Sequence, residues 1–286
     1  MAVLIGGIGS SHSPSIAHAF DHAHADRPEW KPMFDAYGPV RAWLTEQRVD
    51  TLVVFYNDHL NHFQFSAYPT FALGVAESMA VSDEGAGPRD FPAVPGATAL
   101  SWHIAESLVR EEFDLTICQE MELDHGVMSV LPLLCSPPWP CKVIPINVNV
   151  LREPLPTPRR CWRIGQAMAR AIDSFDGEAR VAVVATGGLS HQLHGPDFGF
   201  VNPEWDNRFL DLLESGPEPL VNASHEDYML RGGAESIEMM LWLCMRGALD
   251  QRGALRRVQR HYWGPMLTGY GLLALEAAET NSRIKE

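Results

Sequence analysis

Polar and apolar positions fall into two kinds of stretch along the chain. Five short apolar segments rich in β-branched residues predict buried strands at 3–9, 51–57, 115–121, 141–150 and 180–186. Apolar residues recur at helical spacing over 39–47, 97–112, 159–175 and 204–213, and over a long run at 233–249. Strands that alternate with helices predict an α/β protein. The expectation is a single domain, 1–286, with a central mixed β-sheet flanked by helices. No internal repeat, low-complexity tract or long block of like charge interrupts the pattern. The proline- and glycine-rich stretches at 83–96, 136–140 and 151–158 read as loops, because each is followed by an element that continues the alternation. The loop opening at Asp83 is long for a bare connection, and such loops often serve as lids or binding loops.

Composition narrows the class of protein. The 286 residues include 22 Lys and Arg against 36 Asp and Glu, a net charge of −14 that argues against a nucleic-acid partner. Hydrophobic residues make up 46% and charged residues 20%, the balance of an ordinary globular core. No apolar run approaches the roughly 20 residues that span a bilayer. The start, Met1-Ala-Val-Leu-Ile, lacks the basic region of a secretory signal. A cytoplasmic protein with no membrane partner is expected. The five cysteines are an odd number with no CxxC pair and sit mostly in apolar runs, which predicts free thiols rather than disulfides or metal ligands.

The twelve histidines carry the chemical signal. His12 follows the strand at 3–9, His59 the strand at 51–57 and His191 the strand at 180–186. In open α/β sheets ligands collect beyond the carboxyl ends of strands, so one shared site is expected there. His125, after the third strand, can reach the same edge. Glu238 lies in a run that is apolar almost all round, where an ionised carboxylate is costly unless paired or coordinated; Glu235 on the same turn is its rival. Two imidazoles and a carboxylate with open positions suit a non-heme Fe(II) oxygenase. The same donors can hold catalytic zinc, and the residues alone do not choose. Asp58 either orients His59 through its second ring nitrogen or is an ordinary loop aspartate. His62, His103, His194, His225 and His261 have weaker claims, and His18, His22 and His24 read as surface.

Five motifs occur in order: Ser10-Ser11-His12-Ser13-Pro14, Tyr56-Asn57-Asp58-His59, Asp124-His125-Gly126, Thr186-Gly187-Gly188-Leu189-Ser190-His191-Gln192-Leu193 and Glu235-Ser236-Ile237-Glu238. Together they resemble the class III extradiol ring-cleaving dioxygenases, above all the catalytic β subunits of the protocatechuate 4,5-cleaving members, over residues 1 to about 250. The resemblance implies Fe(II) held by His12, His59 and Glu238, with His191 as acid and base. It places His125 on the substrate and dioxygen side and Asn57 close to the bound catechol. It implies insertion of both atoms of O2 into protocatechuate, with gallate, 3-O-methylgallate or another substituted catechol as the alternative. A zinc-dependent hydrolase on the same three ligands is the alternative of another class. The implied partner is a small helical α subunit, as α₂β₂, or a second copy in a homodimer.

After residue 250 the chain departs from the pattern. Protocatechuate members carry a Ser-Asn-Thr-like segment where residues 262–271 read Tyr-Trp-Gly-Pro-Met-Leu-Thr-Gly-Tyr-Gly. That change bears on substrate identity more than on reaction type. Arg89, in the long loop, is a candidate partner for a substrate carboxylate, its alternative being a solvent-exposed loop residue. A serine hydrolase built on Ser190 beside His191 is disfavoured, since adjacent side chains of an extended segment point to opposite faces.

Overall fold

The computed structural model describes residues 1–264 and 266–278, and there the alternation resolves into strands β1 (Val3–Ser10), β2 (Thr51–Tyr56), β3 (Phe71–Gly74), β4 (Ser78–Val81), β5 (Val94–Pro95), β6 (Thr116–Cys118), β7 (Glu122–Leu123), β8 (Lys142–Val148), β9 (Arg180–Thr186), β10 (Leu255–Trp263) and β11 (Tyr270–Ala277). Eight of them form one sheet in the order β10-β11-β1-β9-β2-β8-β3-β6, and β4, β5 and β7 form a small second one. Strands β1, β9, β2 and β8 run parallel. Strand β11 is antiparallel to both β1 and β10, and β3 is antiparallel to β8. The result is a single-domain α/β fold around a mixed sheet, as expected.

Period-two alternation puts a core on each face. Val53 and Phe55 of β2 join Val181, Val183 and Ala185 of β9 on one side, while Leu52, Val54 and Tyr56 join Ala182 and Val184 on the other. Helices Thr98–Arg110, Pro158–Asp173 and Leu241–Ala248 cover the first face, and Lys31–Glu46 covers the second. Strands buried on both faces read as continuous apolar runs, so β1, β2, β8 and β9 appear almost where the sequence predicts them.

Elsewhere the expectation needs correction. The strand expected at 115–121 shrinks to Thr116–Cys118. The helix expected to begin at Pro39 begins at Lys31 and runs through that proline. Proline costs the helix one N–H, but burial of Met33, Phe34, Tyr37, Val40 and Trp43 along one face outweighs the loss. The run at 233–249 divides into a 3-10 segment, Ala234–Met240, and an α-helix, Leu241–Ala248. The β10–β11 hairpin was not predicted. Strand β11 is rich in leucine and alanine, which favour helix locally, and it is a strand because it pairs on both edges, with β1 and with β10. No helix among the described residues is long and apolar enough to cross a membrane.

One contact ties the core to the strand ends. A Cβ on Gly9 would collide with the Trp242 indole, and Trp242 Nε1–H donates to Gly187 O at 3.1 Å. Trp242 therefore packs against the end of β1, is bonded to the residue following β9, and sits four positions after Glu238. Gly9→Ala is expected to cost about 1–3 kcal/mol and to lower Tm by roughly 2–5 °C. Scanning calorimetry checks this, and an unchanged Tm contradicts the close approach.

Candidate metal centre

The four parallel strands end at one edge of the sheet, and the segments that leave them carry the histidines. His12 follows β1, His59 follows β2 and His191 follows β9. Glu238 comes to the same edge from the 3-10 segment Ala234–Met240. Its Oε2 lies 3.4 Å from His12 Nε2 and its Oε1 lies 3.7 Å from His59 Nε2. The His12 and His59 ring centroids are 5.0 Å apart. His125 joins them, with ring nitrogens of His12, His59 and His125 all within 4.8 Å of one another and its ring 3.9 Å from that of His59. The structure thus offers His12 and His59 with either Glu238 or His125 as a third donor. Glu238 is the only one of these four side chains able to supply a negative charge to a divalent ion.

The donors fit a metal. His12 Nδ1 is hydrogen-bonded to Thr186 Oγ1 at 3.0 Å, while its Nε2 is buried with no hydrogen-bond partner. A buried ring nitrogen without a partner is unusual and calls for a ligand. Burial opposes ionisation of Glu238, yet the imidazoles of His12 and His59 hold its carboxyl well below the usual range. Burial also pushes His12 down, with Glu238 pulling the other way. At His59 burial lowers the imidazole, but hydrogen bonds to Asp124 and Glu238 prevail and raise it to about 10.

That last shift has a sign that metal binding exposes. Without metal, His59 keeps its second proton through neutral pH, and an ion must displace it. Metal uptake near pH 8 is expected to release about one proton, and affinity should rise about tenfold per pH unit up to about 10, where His59 loses that proton unaided. Calorimetric titration in buffers of different ionisation enthalpy checks this. The same binding enthalpy in every buffer contradicts it.

Orientation comes from residues around the donors. Asp124 Oδ2 accepts the His59 backbone N–H at 2.7 Å and its Nδ1–H at 2.9 Å. Asp124, rather than Asp58, is therefore the carboxylate that aims His59 Nε2 at Glu238. Asp58 instead accepts the N–H groups of Asn61, His62 and Phe63 and folds the turn after His59. Glu238 Oε2 accepts Gly188 N–H at 2.7 Å. Asn57 is fully buried, with Nδ2 3.1 Å from His59 Nε2 and donating to Glu238 Oε1 at 3.3 Å. Glu84, in the long loop, holds His125 twice, at its backbone N–H (2.7 Å) and at Nδ1 (2.5 Å). Glu235 also lines the cavity but stands apart from the donors, accepting Leu193 N–H at 3.0 Å and pairing with His194. Arg89 is neither free nor in the cavity wall. It pairs with both oxygens of Asp21 and donates to Met128 O, pinning its loop to helix Pro14–Asp21.

His12, His59, His125, His191 and Glu238 share one cavity of about 490 Å³. Leu151, Leu193, Met266 and Leu267 supply an apolar wall, and Ser13, Ser15, Thr268 and Tyr270 supply neutral hydroxyls. The divergent segment at 262–271 therefore reaches the ligand space, although its Pro265 lies outside the described residues.

Over residues 6–273 the sequence matches the family described as the catalytic LigB subunit of aromatic ring-opening dioxygenase. The chain belongs to this family. A gallate dioxygenase of Pseudomonas putida is 46% identical to this LigB-family chain over 198 residues, covering 68% of the chain and 58% of that relative. The chain thus matches little more than half the length of that protein. A 2,3-dihydroxyphenylpropionate/2,3-dihydroxicinnamic acid 1,2-dioxygenase of Cupriavidus necator is 30% identical over 250 residues, covering 72% of the chain and 78% of the relative. An uncharacterized protein of Escherichia coli K12 shares the fold, with a TM-score of 0.56 at 16% identity over 96% of this chain and 100% of that one.

Within this LigB-family chain, sequence reasoning overlooked Thr186, Glu84 and the orienting role of Asp124. Thr186 and Asp124 stand inside motifs already singled out and Glu84 lies in the long loop that opens at Asp83, so what the chain alone did not show was which histidine each would meet. Ser190 Oγ–H is committed to Asp206 at 2.7 Å, so it is not poised as a nucleophile on His191. His103 and His225 bond to backbone carbonyls, His103 Nε2 to Ala171 O and His225 Nε2 to Pro156 O, each at 3.0 Å.

Proposed function

We propose that this chain is an Fe(II)-dependent extradiol dioxygenase that opens the ring of a trihydroxybenzoate of the gallate type, beside a pair of neighbouring hydroxyls. The observation that carries the reading is the buried His12–His59–Glu238 set, with an unpartnered His12 Nε2, opening into the cavity that His191 lines. Protocatechuate, the first expectation from the sequence, gives way to its gallate alternative because the relative at 46% identity is named for gallate. The neutral hydroxyls of Ser13, Ser15, Thr268 and Tyr270 supply hydrogen-bonding groups suited to a third ring hydroxyl.

His12, His59 and Glu238 would hold Fe(II), which when bound would supply a redox centre for a catechol and dioxygen. The chain does the rest. His191 Nδ1–H donates to Leu189 O at 2.8 Å, which leaves Nε2 free to accept the proton of a substrate hydroxyl and to return it as the ring opens. His125, held at Nδ1 by Glu84, offers Nε2 to the same space. The apolar wall grips the ring faces and limits water. Both atoms of O2 enter the product, so no reductant is consumed. A covering partner belongs to this reading, either a small helical subunit or a second copy. Its support is the apolar rim, where Leu151, Leu193, Met266 and Leu267 are 38–47% exposed.

Oxygen uptake by anaerobically prepared, Fe(II)-loaded protein tests the reading, with gallate, protocatechuate, 3-O-methylgallate and catechol as substrates. The expected result is one O2 per ring opened, with kcat/KM for gallate at least about tenfold above that for protocatechuate. No uptake with any of the four, despite bound iron, overturns it.

A further inference from the structure

Asp206 is a fully buried carboxylate that the proposed chemistry does not use. It lies in the first turn of helix Pro203–Ser215, whose amino end is capped by Asn202. A buried carboxylate is costly unless its lone pairs are met, and here Ser190 and Tyr262 meet them. Oδ1 accepts Ser190 N–H at 2.8 Å, and Oδ2 accepts Ser190 Oγ–H at 2.7 Å and Tyr262 O–H at 3.0 Å. Ser190 Oγ in turn accepts Asn202 N–H at 2.7 Å. Burial pushes the Asp206 carboxyl above its ordinary value, while these bonds and the nearby His191 favour its ionised form.

Gly269 packs so close that a Cβ there would collide with Asp206 Oδ2. Its N–H donates to Ser190 O at 2.9 Å and its carbonyl accepts Leu189 N–H at 3.1 Å. One carboxylate therefore gathers four pieces of chain: the helix start, the segment after β9, the end of β10 and the approach to β11. Two of these carry cavity residues. His191 follows Ser190, Thr268 precedes Gly269, and the two are bridged through their backbones. The His191 ring is itself anchored on Leu189 O, inside the segment that Asp206 clamps.

We propose that Asp206 is a positioning residue. Acting through Ser190, it holds residues 189–191 so that His191 keeps its Nδ1–H on Leu189 O and presents Nε2 to the cavity as the proton acceptor. The consequence for turnover rests on the acid–base reading of His191; the consequence for the ring's tautomer does not.

Long-range ¹⁵N–¹H imidazole spectra of the metal-free protein test the clamp directly, with the His191 signal identified by its loss in His191→Phe. The wild-type ring is expected as a single tautomer protonated at Nδ1. Asp206→Ala should show an averaged or broadened His191 signal. Asp206→Asn keeps an acceptor for Ser190 N–H and should retain the single tautomer. Ser190→Ala, which removes only the hydroxyl link, should fall between them and serves if Asp206→Ala does not fold. In the iron-loaded protein, Asp206→Ala is expected to lower kcat on the order of 10²-fold, with KM and iron content near wild type and most of the loss recovered by Asp206→Asn. A wild-type His191 tautomer in Asp206→Ala, or in Ser190→Ala where the former is unfolded, overturns the clamp. A shifted tautomer with undiminished kcat supports the clamp and overturns the acid–base role of His191 instead.

Discussion

Glu238→Ala is expected to release the metal and, with it, all measurable ring cleavage. Glu238 is only 7% exposed, lies between the Nε2 atoms of His12 and His59, and accepts Gly188 N–H. It is the single anionic donor at the centre, so its removal leaves a divalent ion facing neutral imidazoles alone. Loss of an outer partner of a metal ligand typically costs about 10–100-fold in affinity, and loss of a ligand itself should cost more. Metal content after dialysis, read beside oxygen uptake, checks this. The outcome also decides between the two third donors that the geometry offers. Retention of a full equivalent of metal by Glu238→Ala would assign His125 to the metal and remove Glu238 from the ligand set.

Conversely, His191→Phe should keep its metal and lose its chemistry. Phenylalanine preserves the ring volume beside Gly188 but has no Nε2 to take a proton. General acid–base groups contribute typically 10²–10⁴-fold, so kcat is expected to fall by about that factor while iron content stays at the wild-type level. Wild-type turnover in this variant contradicts the acid–base assignment. Loss of iron together with activity would show instead that His191 supports the centre rather than the proton transfer. The pair of variants therefore separates residues that hold the ion from those that act on the substrate.

The histidines and Glu238 stand out in the sequence for a physical reason. Strands β1, β2 and β9 are buried on both faces, so each leaves an apolar run that ends abruptly where the chain turns out of the sheet, and a histidine lies just beyond each end. Glu238 stood out because a carboxylate in an apolar run demands a partner. Gly9 and Trp242 show the limit of that kind of reading. Each looks unremarkable in the chain, and their close packing appears only when the helix lies across the strand.

What the sequence by itself determined is what local burial and periodicity record: an α/β alternation, the parallel core strands, and the side chains delivered to their carboxyl ends. Only the tertiary structure decided which neighbours those side chains meet. Asp124 rather than Asp58 aims His59, although Asp58 is adjacent in the chain, because Asp58 is taken up by the N–H groups of its own turn. Arg89 went to Asp21 rather than to the cavity. Strand β11, locally leucine- and alanine-rich, became extended because β1 and β10 lie on either side of it. Asp206 meets Ser190, Tyr262 and Gly269 across long stretches of chain. Hydrogen bonds of this kind depend on distance in space, and no periodicity along the chain encodes it.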